Sequence, residues 1–536
     1  MRIIFLVIAI LPFFALSFCT KRPLPSAKQP SPSAKQAARP TAVAGSFYPA
    51  DPAELGKMVD QFVADAKDPA VPDVIAIVAP HAGYQFSGPV AGYSYALLKG
   101  RKPQRVVVIA PSHYEAFDFS SVYDGAAYST PLGEVPVDRE FVNRLVRMDP
   151  SIQLSATGHT PTADKREHSV EVQLPFLQRV LGEFKLVPIV MGDQSWRNCR
   201  ALGVALAKLI QGSDTLIVAS SDLSHYHPYD DAVRIDHKTL QGIEQWDYLS
   251  MSSNFDQRNW EACGGGPIIA AMIAAERLGA NQARLLKYAN SGDTAGDHSR
   301  VVGYGAVAFS KGPARSIAPE TALALSQEEK DELLRIARKS VETAVREGKP
   351  YQCPAPKLSA LATDRAVFVT LTKRGDLCGC IGYVHAMQPL YLAVRDVAAL
   401  AALQDTRFPP VTAPELGELS YEISVLSPLR HVQDLSLIRV GLDGLLVRKG
   451  DTQGLLLPQV ATEYNLDRHA FVQQVCVKAG LPSDAWRDSD TDIFVFTAVV
   501  FGPAPKEAFE ELRLHAWMPL QGALAPDSPK PAAATF

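Results

Sequence analysis

Four short apolar runs, Val74–Ala79, Arg105–Ala110, Lys185–Val190 and Leu216–Ser220, constrain this chain more than any other feature. None shows the polar alternation of a half-exposed strand, and helical patterns separate them. Strands that are apolar throughout are covered on both faces, so the rhythm predicts a parallel sheet sandwiched by helices. From Ala44 to Ser310 the chain therefore reads as a doubly wound α/β domain.

In such sheets ligands bind outside the carboxyl ends of the strands, where loops converge and helix amino termini point inward. After Val74–Ala79 come Pro80 and His81, and after Arg105–Ala110 come Pro111, Ser112 and His113. After Leu216–Ser220 come Ser221, Asp222, Leu223, Ser224 and His225. A single histidine behind a strand is more often a structural residue than a ligand. Three strands that deliver imidazole or carboxylate to one edge point instead to a site.

Neutral imidazole binds metals and exchanges protons near neutrality. Two ring nitrogens alone make a weak metal site, so a third donor is needed. Cys263 stands just before an apolar helix opened by glycines and Pro267, where the helix dipole favours a thiolate. An isolated cysteine is otherwise a small buried apolar residue. His168 in EHSVEVQLPF and His298 in GDHSR are further candidates, each an ordinary polar residue when taken alone.

The amino terminus begins with Arg2, and Ile3 to Phe18 is almost wholly apolar, which is the pattern of an export signal. Cys19 after Leu16-Ser17-Phe18 suits a lipoprotein-type signal, and Ala15-Leu16-Ser17 offers a cleavage site instead. Thr20 to Val43 contains five prolines and five basic residues without an acid, a tether that cannot form a core. The protein is thus expected to be exported, periplasmic or membrane-anchored. Seven cysteines in 536 residues make no disulfide framework. A formal charge of -4, with basic and acidic residues interspersed, provides no field for nucleic acid.

Residues 311–325 read as a linker. A second domain, 326–503, begins with the capping box Ser326-Gln327-Glu328-Glu329 and a helix that Gly348 and Pro350 stop. Ala366–Thr372 and Cys378–Val384 form a hairpin, Leu419–Leu426, Gly444–Val447 and Ile493–Val500 add strands, and Pro389–Leu403 and Arg468–Ala479 are helical. This is a separate α+β unit. Cys378 and Cys380, two apart in one strand, are expected on the same face, as packed small residues or as a metal or redox pair. Arg407 and Glu422 would line that surface or lie solvated on it. Residues 504–536 are expected to form a loosely ordered tail.

The segments AGSFYPAD, APHAGYQFSGPVAG, APSHY, EHSVEVQLPFL, SSDLSHY, CGGGPI and VGYGAVAF resemble the Memo family, component B of the AmmeMemoRadiSam system. The resemblance implies a class III extradiol dioxygenase-like fold. It implies His81, His113 and Cys263 as metal ligands, iron or copper as the metal, and His168, Asp222 and His225 as polar groups of the same pocket with catalytic roles. Where some relatives carry Arg-His after Cys263-Gly264, this chain has Gly265 and Gly266. GDLCGCIGYV, DTRFPPVTAPEL, YEISVLSPL, GLLLPQVATEY and VCVKAGLPSDAW resemble the AMMECR family, component A of that system, with Cys378 where relatives usually have arginine. The expectation is a metal-dependent redox or oxygenase-like protein acting on a small-molecule or peptide substrate beside a radical S-adenosylmethionine protein, the fusion raising the effective concentration of its two components. A non-enzymatic peptide- or metal-binding adaptor and a Zn-dependent hydrolase are the alternatives.

Overall fold

The computed structural model describes residues 38–67, 70–312 and 324–503. The expected export signal (1–19), most of the tether, most of the linker and the tail (504–536) lie outside the described residues. Among the described residues no helix is long and apolar enough to cross a membrane.

The amino-terminal domain is built on nine strands: β1 Val74–Ala79, β2 Arg105–Pro111, β3 Ser120–Tyr123, β4 Ile152–Ser155, β5 Lys185–Met191, β6 Thr215–Ser220, β7 His225–His227, β8 Gln282–Asn290 and β9 Val301–Ser310. Their order is β8-β9-β1-β6-β2-β5-β3-β4, with β7 paired to β9. The four apolar runs are the parallel centre, β1, β6, β2 and β5, each within a residue of its expected bounds. The expectation of a parallel sheet holds only there. β9 runs antiparallel to β1, β8 antiparallel to β9, and β3 antiparallel to β5, so the sheet is mixed.

Helices α1 Pro52–Asp65, α2 Tyr84–Ala96 and α3 Leu174–Leu181 pack together through Phe62, Tyr84, Tyr95 and Phe176. Helices α4 Trp196–Ile210, α5 Tyr229–Glu244, α6 Tyr248–Asp256 and α7 Gly265–Arg277 form a second group. The chain steps outward from β1 to β2 and β5, then returns to insert β6 between β1 and β2. Right-handed crossovers put helices that travel out and helices that travel back on opposite faces. The reversal sets the carboxyl ends of β1, β6 and β2 side by side, where His81, Asp222 and His113 follow.

Residues 38–43 do not belong to a tether. Arg39 pairs with Tyr128 and is buried, and Val43 is in the core, so the domain begins earlier than composition suggests. A proline- and basic-rich stretch folds here because buried acceptors match its one inserted cation.

In the second domain, α8 Gln327–Glu347 has the expected capping box and ends at Gly348 with φ +64°. Strands β10 Val367–Lys373, β11 Asp376–Tyr383, β12 Leu419–Leu426, β13 Arg430–Val432, β14 Gly444–Lys449, β15 Thr452–Leu456, β16 Thr491–Phe496 and β17 Ala498–Phe501 form two antiparallel sheets, β11-β10-β12-β17 and β13-β16-β14-β15. The single strand expected at Ile493–Val500 is two, because the chain changes sheets at Thr497. Helix α9 Leu390–Leu403 covers the first sheet and α10 Arg468–Lys478 the second.

Cys378 and Cys380 lie on opposite faces, contrary to the alternation argument. Leu371 pairs with Gly379 but Thr372 with Leu377, so Cys378 is the extra residue of a β-bulge. It packs toward the α8–α9 core, whereas Cys380 lies on the other side, 3.2 Å from Thr370 Oγ1. Arg407 is engaged with the Asp405 carboxylate and the Cys380 carbonyl, and Glu422 is buried opposite Thr370 in the adjacent strand. No disulfide joins the six described cysteines.

The two domains meet through buried charge. Asp492 of β16 accepts from Arg200 of α4 and Arg277 of α7, His431 lies between Asp492 and Glu276, and Lys238 pairs with Asp364. Helix α7 therefore has Cys263 just before its amino end and the second domain at its carboxyl end.

Candidate metal centre

His81 follows β1 and is 1% exposed. Its backbone N–H donates to Asp222 Oδ1 at 2.8 Å, which ties the end of β1 to the loop after β6. The His81 Nδ1 lies 2.8 Å from Ser220 Oγ. The Ser220 hydroxyl gives its one proton to the Ser169 carbonyl at 2.6 Å and accepts from Gln173 Nε2 at 2.8 Å. Only an accepting lone pair remains for the imidazole, so His81 carries its proton on Nδ1 and leaves Nε2 bare.

The same logic holds for two other rings. His113 Nδ1 donates to Glu167 Oε1 at 3.1 Å, and His168 Nδ1 donates to the Arg166 carbonyl at 3.0 Å. Carboxylates and carbonyls only accept, so both rings carry their proton on Nδ1 and turn Nε2 inward, that of His113 toward Cys263. The three rings converge: His81 and His113 centroids are 5.1 Å apart, and His113 stacks on His168 at 4.9 Å. One ligand atom from each of His81, His113 and His168 lies within 4.8 Å of the others. Hydrogen-bonded imidazoles with outward Nδ1–H groups are what orient a metal-binding set.

Cys263 completes the cluster. Its Sγ is 3.2 Å from His81 Nε2 and accepts the Asp222 amide at 3.2 Å. Burial pushes the thiol pKa up against the neighbouring His113. Burial and the adjacent rings push His81 well below the ordinary histidine value, which keeps it neutral. Burial also disfavours charge on His113, yet its bonds to Cys263 and Glu167 win and carry its pKa to about 10. A proton thus occupies the place between these groups that a cation would take. About a quarter of the His113 side chain, 26%, reaches solvent, so the cluster is open on one side.

The glycines after Cys263 are imposed by packing. A Cβ on Gly264 would lie 2.4 Å from the Ser220 carbonyl oxygen, and one on Gly266 would lie 2.7 Å from Gln194 Cβ. The wall without Arg-His is close-packed.

Of the expected site residues, His81, His113, Cys263 and His168 are together. His168 belongs with the potential ligands and not merely to the pocket lining. Asp222 is buried and holds the His81 backbone, while its carboxyl is pushed up by burial against the opposing charge of His225. His225 stands outside the three-histidine group, with Nδ1 2.9 Å from the Leu223 carbonyl. His298 stacks on Tyr229 at 4.3 Å and takes no part. Sequence reasoning missed Glu167, whose carboxylate also accepts the amides of His113, His168 and Ser169. Its direct position before His168 was the available signal.

Fold and site together define a class: a mixed α/β domain with a histidine–cysteine cluster at its strand ends, fused to an antiparallel α+β domain. The family model described as Memo-like protein matches residues 39–308, and the AMMECR1 model matches residues 334–501. The chain belongs to the Memo family and carries an AMMECR1 domain behind the Memo domain. A MEMO1 family protein of Methanopyrus kandleri is 40% identical over 286 residues, 51% of this chain and 99% of that relative. Another from Sulfolobus acidocaldarius is 38% identical over 284 residues, 50% and 98% of the respective chains. A solved structure, an uncharacterized protein from Pyrococcus horikoshii, is 39% identical, covers 32% of this chain and 91% of its own, and has a TM-score of 0.31.

Proposed function

We propose that the Memo domain binds a redox-active transition metal, iron or copper, through His81, His113, His168 and Cys263. The observation that carries this reading is the common orientation: three Nδ1–H groups are committed to Ser220, Glu167 and the Arg166 carbonyl, and three Nε2 atoms are turned toward one another. Imidazole and thiolate donors fit iron, copper and zinc and do not fit magnesium or calcium. When bound, such a metal supplies electron transfer or Lewis acidity to a substrate entering from the His113 side. The chain's own residues do the rest. Glu167 fixes the His113 ring and the His168 backbone, the Arg166 carbonyl fixes the His168 ring, Asp222 holds the His81 turn, and His225, which follows Asp222 in the same loop, serves as a proton carrier.

In this reading the domain is kin to class III extradiol dioxygenases, acts on a small molecule or peptide, and works beside a radical S-adenosylmethionine protein with the AMMECR1 domain docked in the same chain. Export by the apolar leader is part of the proposal, and a compartment-reporter fusion tests it. The metal test is anaerobic purification followed by elemental and spectroscopic analysis of wild type, His81→Ala, His168→Ala and Cys263→Ala. Iron or copper at one per chain, lost or altered in all three variants, supports the proposal. Stoichiometric zinc transfers weight to hydrolysis, and a native protein without metal supports an adaptor.

A further inference from the structure

Residues 39–48, RPTAVAGSFY, form a strap over the candidate metal centre. The buried Arg39 guanidinium donates to Glu171 Oε2 at 2.6 Å, to the His159 carbonyl at 2.5 Å and to the Glu167 carbonyl. The amides of Ala42 and Val43 and the Tyr48 hydroxyl also donate to the Glu171 carboxylate. The Phe47 ring lies 4.5 Å from the His168 ring, and its carbonyl accepts the Tyr84 amide at 2.8 Å, three residues beyond His81. Arg166, whose carbonyl takes the His168 Nδ1 proton, donates its Nε–H to the Ala42 carbonyl at 3.0 Å. One short segment thus touches both the loop after β1 and the loop that carries Glu167 and His168.

We infer that Arg39 and Phe47 are positioning residues for His168: the strap sets its ring orientation and its Nδ1–H tautomer. An imidazole becomes a directed ligand only when the group beyond it and the surface beside it are both held. Arg39 is suited to this as a planar fork that serves three acceptors at once, which a lysine cannot do. The inference rests on the metal-binding reading for its purpose, but the geometry of His168 can be measured without metal.

The test uses the full chain with ¹⁵N-labelled histidine, as wild type, Arg39→Lys and Phe47→Leu, with circular dichroism to verify folding. In the apo proteins the imidazole ¹⁵N shifts report the His168 tautomer, and Co²⁺ alone is then titrated anaerobically, with His81→Ala as the control. The expected result is an Nδ1-protonated His168 in wild type, a mixed tautomer in both variants, and Co²⁺ affinity lower by about tenfold or more, the usual scale for lost ligand support. Folded variants that keep the wild-type His168 shifts and bind Co²⁺ within about twofold of wild type overturn the inference, twofold being small on that scale. If Arg39→Lys does not fold, Phe47→Leu alone decides. Wild type that fails to bind Co²⁺, or His81→Ala that binds normally, sinks the metal reading, while the His168 shifts still decide the role of the strap.

Discussion

Glu167→Gln is the most informative single change, because it preserves shape and removes one charge. In the native protein Oε1 accepts from His113 Nδ1, the amides of His168 and Ser169 and the Ser169 hydroxyl, while Oε2 accepts the His113 amide at 2.6 Å. The glutamine carbonyl will keep the crowded side, so its NH₂ must face the His113 amide, donor against donor. A bond to a charged acceptor contributes about 1.5–3 kcal/mol, a neutral one about 0.5–1.5, and an unpaired buried amide costs about 1–3. The bonds share one acceptor and do not add, so the net loss is roughly 3 kcal/mol for the loop pair.

The pH dependence supplies a second readout. The His113 pKa is raised in the folded apo protein, to about 10. Its contribution to stability is therefore complete below its unfolded value, about 6.5, and is lost as pH rises through the folded value. Metal affinity runs the other way, since the cation must displace that proton, and should climb by up to about tenfold per pH unit in this window. In Glu167→Gln the window should move down toward the ordinary histidine value. Co²⁺ affinity measured by chelator competition from about pH 6.5 to 9 should be about 10- to 100-fold weaker than wild type at the upper end, where lost ligand support dominates, and the gap should narrow toward the lower end, where the variant is relieved of proton competition, with urea unfolding run alongside. A variant with wild-type affinity, pH slope and stability would refute the reasoning.

Asp492→Ala leaves Arg200, Arg277 and His431 facing one another in a buried interface, and should cost about 3–5 kcal/mol. Urea unfolding followed by the fluorescence of Trp196, which Arg448 of the second domain covers at 4.9 Å, will report it. Burial would raise the Asp492 pKa, but bonds from His431 and Arg200 hold it well below the carboxylate range. Its stabilisation is present above about pH 4, the unfolded value, and fades as pH falls, so acid should loosen the domain contact in wild type and not in Asp492→Ala. Gly264→Ala should destabilise by about 2–4 kcal/mol and weaken Co²⁺ binding, because the new Cβ meets a backbone carbonyl that cannot turn away. Mild oxidation should not join Cys378 to Cys380, and mass spectrometry that finds a loss of two hydrogens in that peptide contradicts the opposed faces.

What could be read along the chain was whatever depends on neighbours in sequence. The four central strands, the cap at Ser326, the hairpin around Arg374 and Gly375 and the polar groups behind β1, β2 and β6 all follow from local periodicity and turn chemistry. These also placed His81, His113, Asp222 and His225 at one edge, while Cys263 joined them as a candidate donor through its place before a helix and through the family resemblance. The remaining features depend on partners far away. Glu167 reaches His113 across 54 residues, and Arg39 reaches Glu171 across 132. No pattern in composition announces which carboxylate will meet which ring.

The bulge at Cys378 shows the limit most sharply. Strand periodicity put both cysteines on one face, and a single unpaired residue in the hairpin register put them on two. The sequence by itself determined which segments are buried and which strand ends carry chemistry, because burial and turning are local free-energy preferences of the residues concerned. Only the tertiary structure decided the ring orientations, the gathering of His168 with His81 and His113 and the burial of Arg39 among its acceptors, because each is set by contacts that exist only when distant loops are packed together.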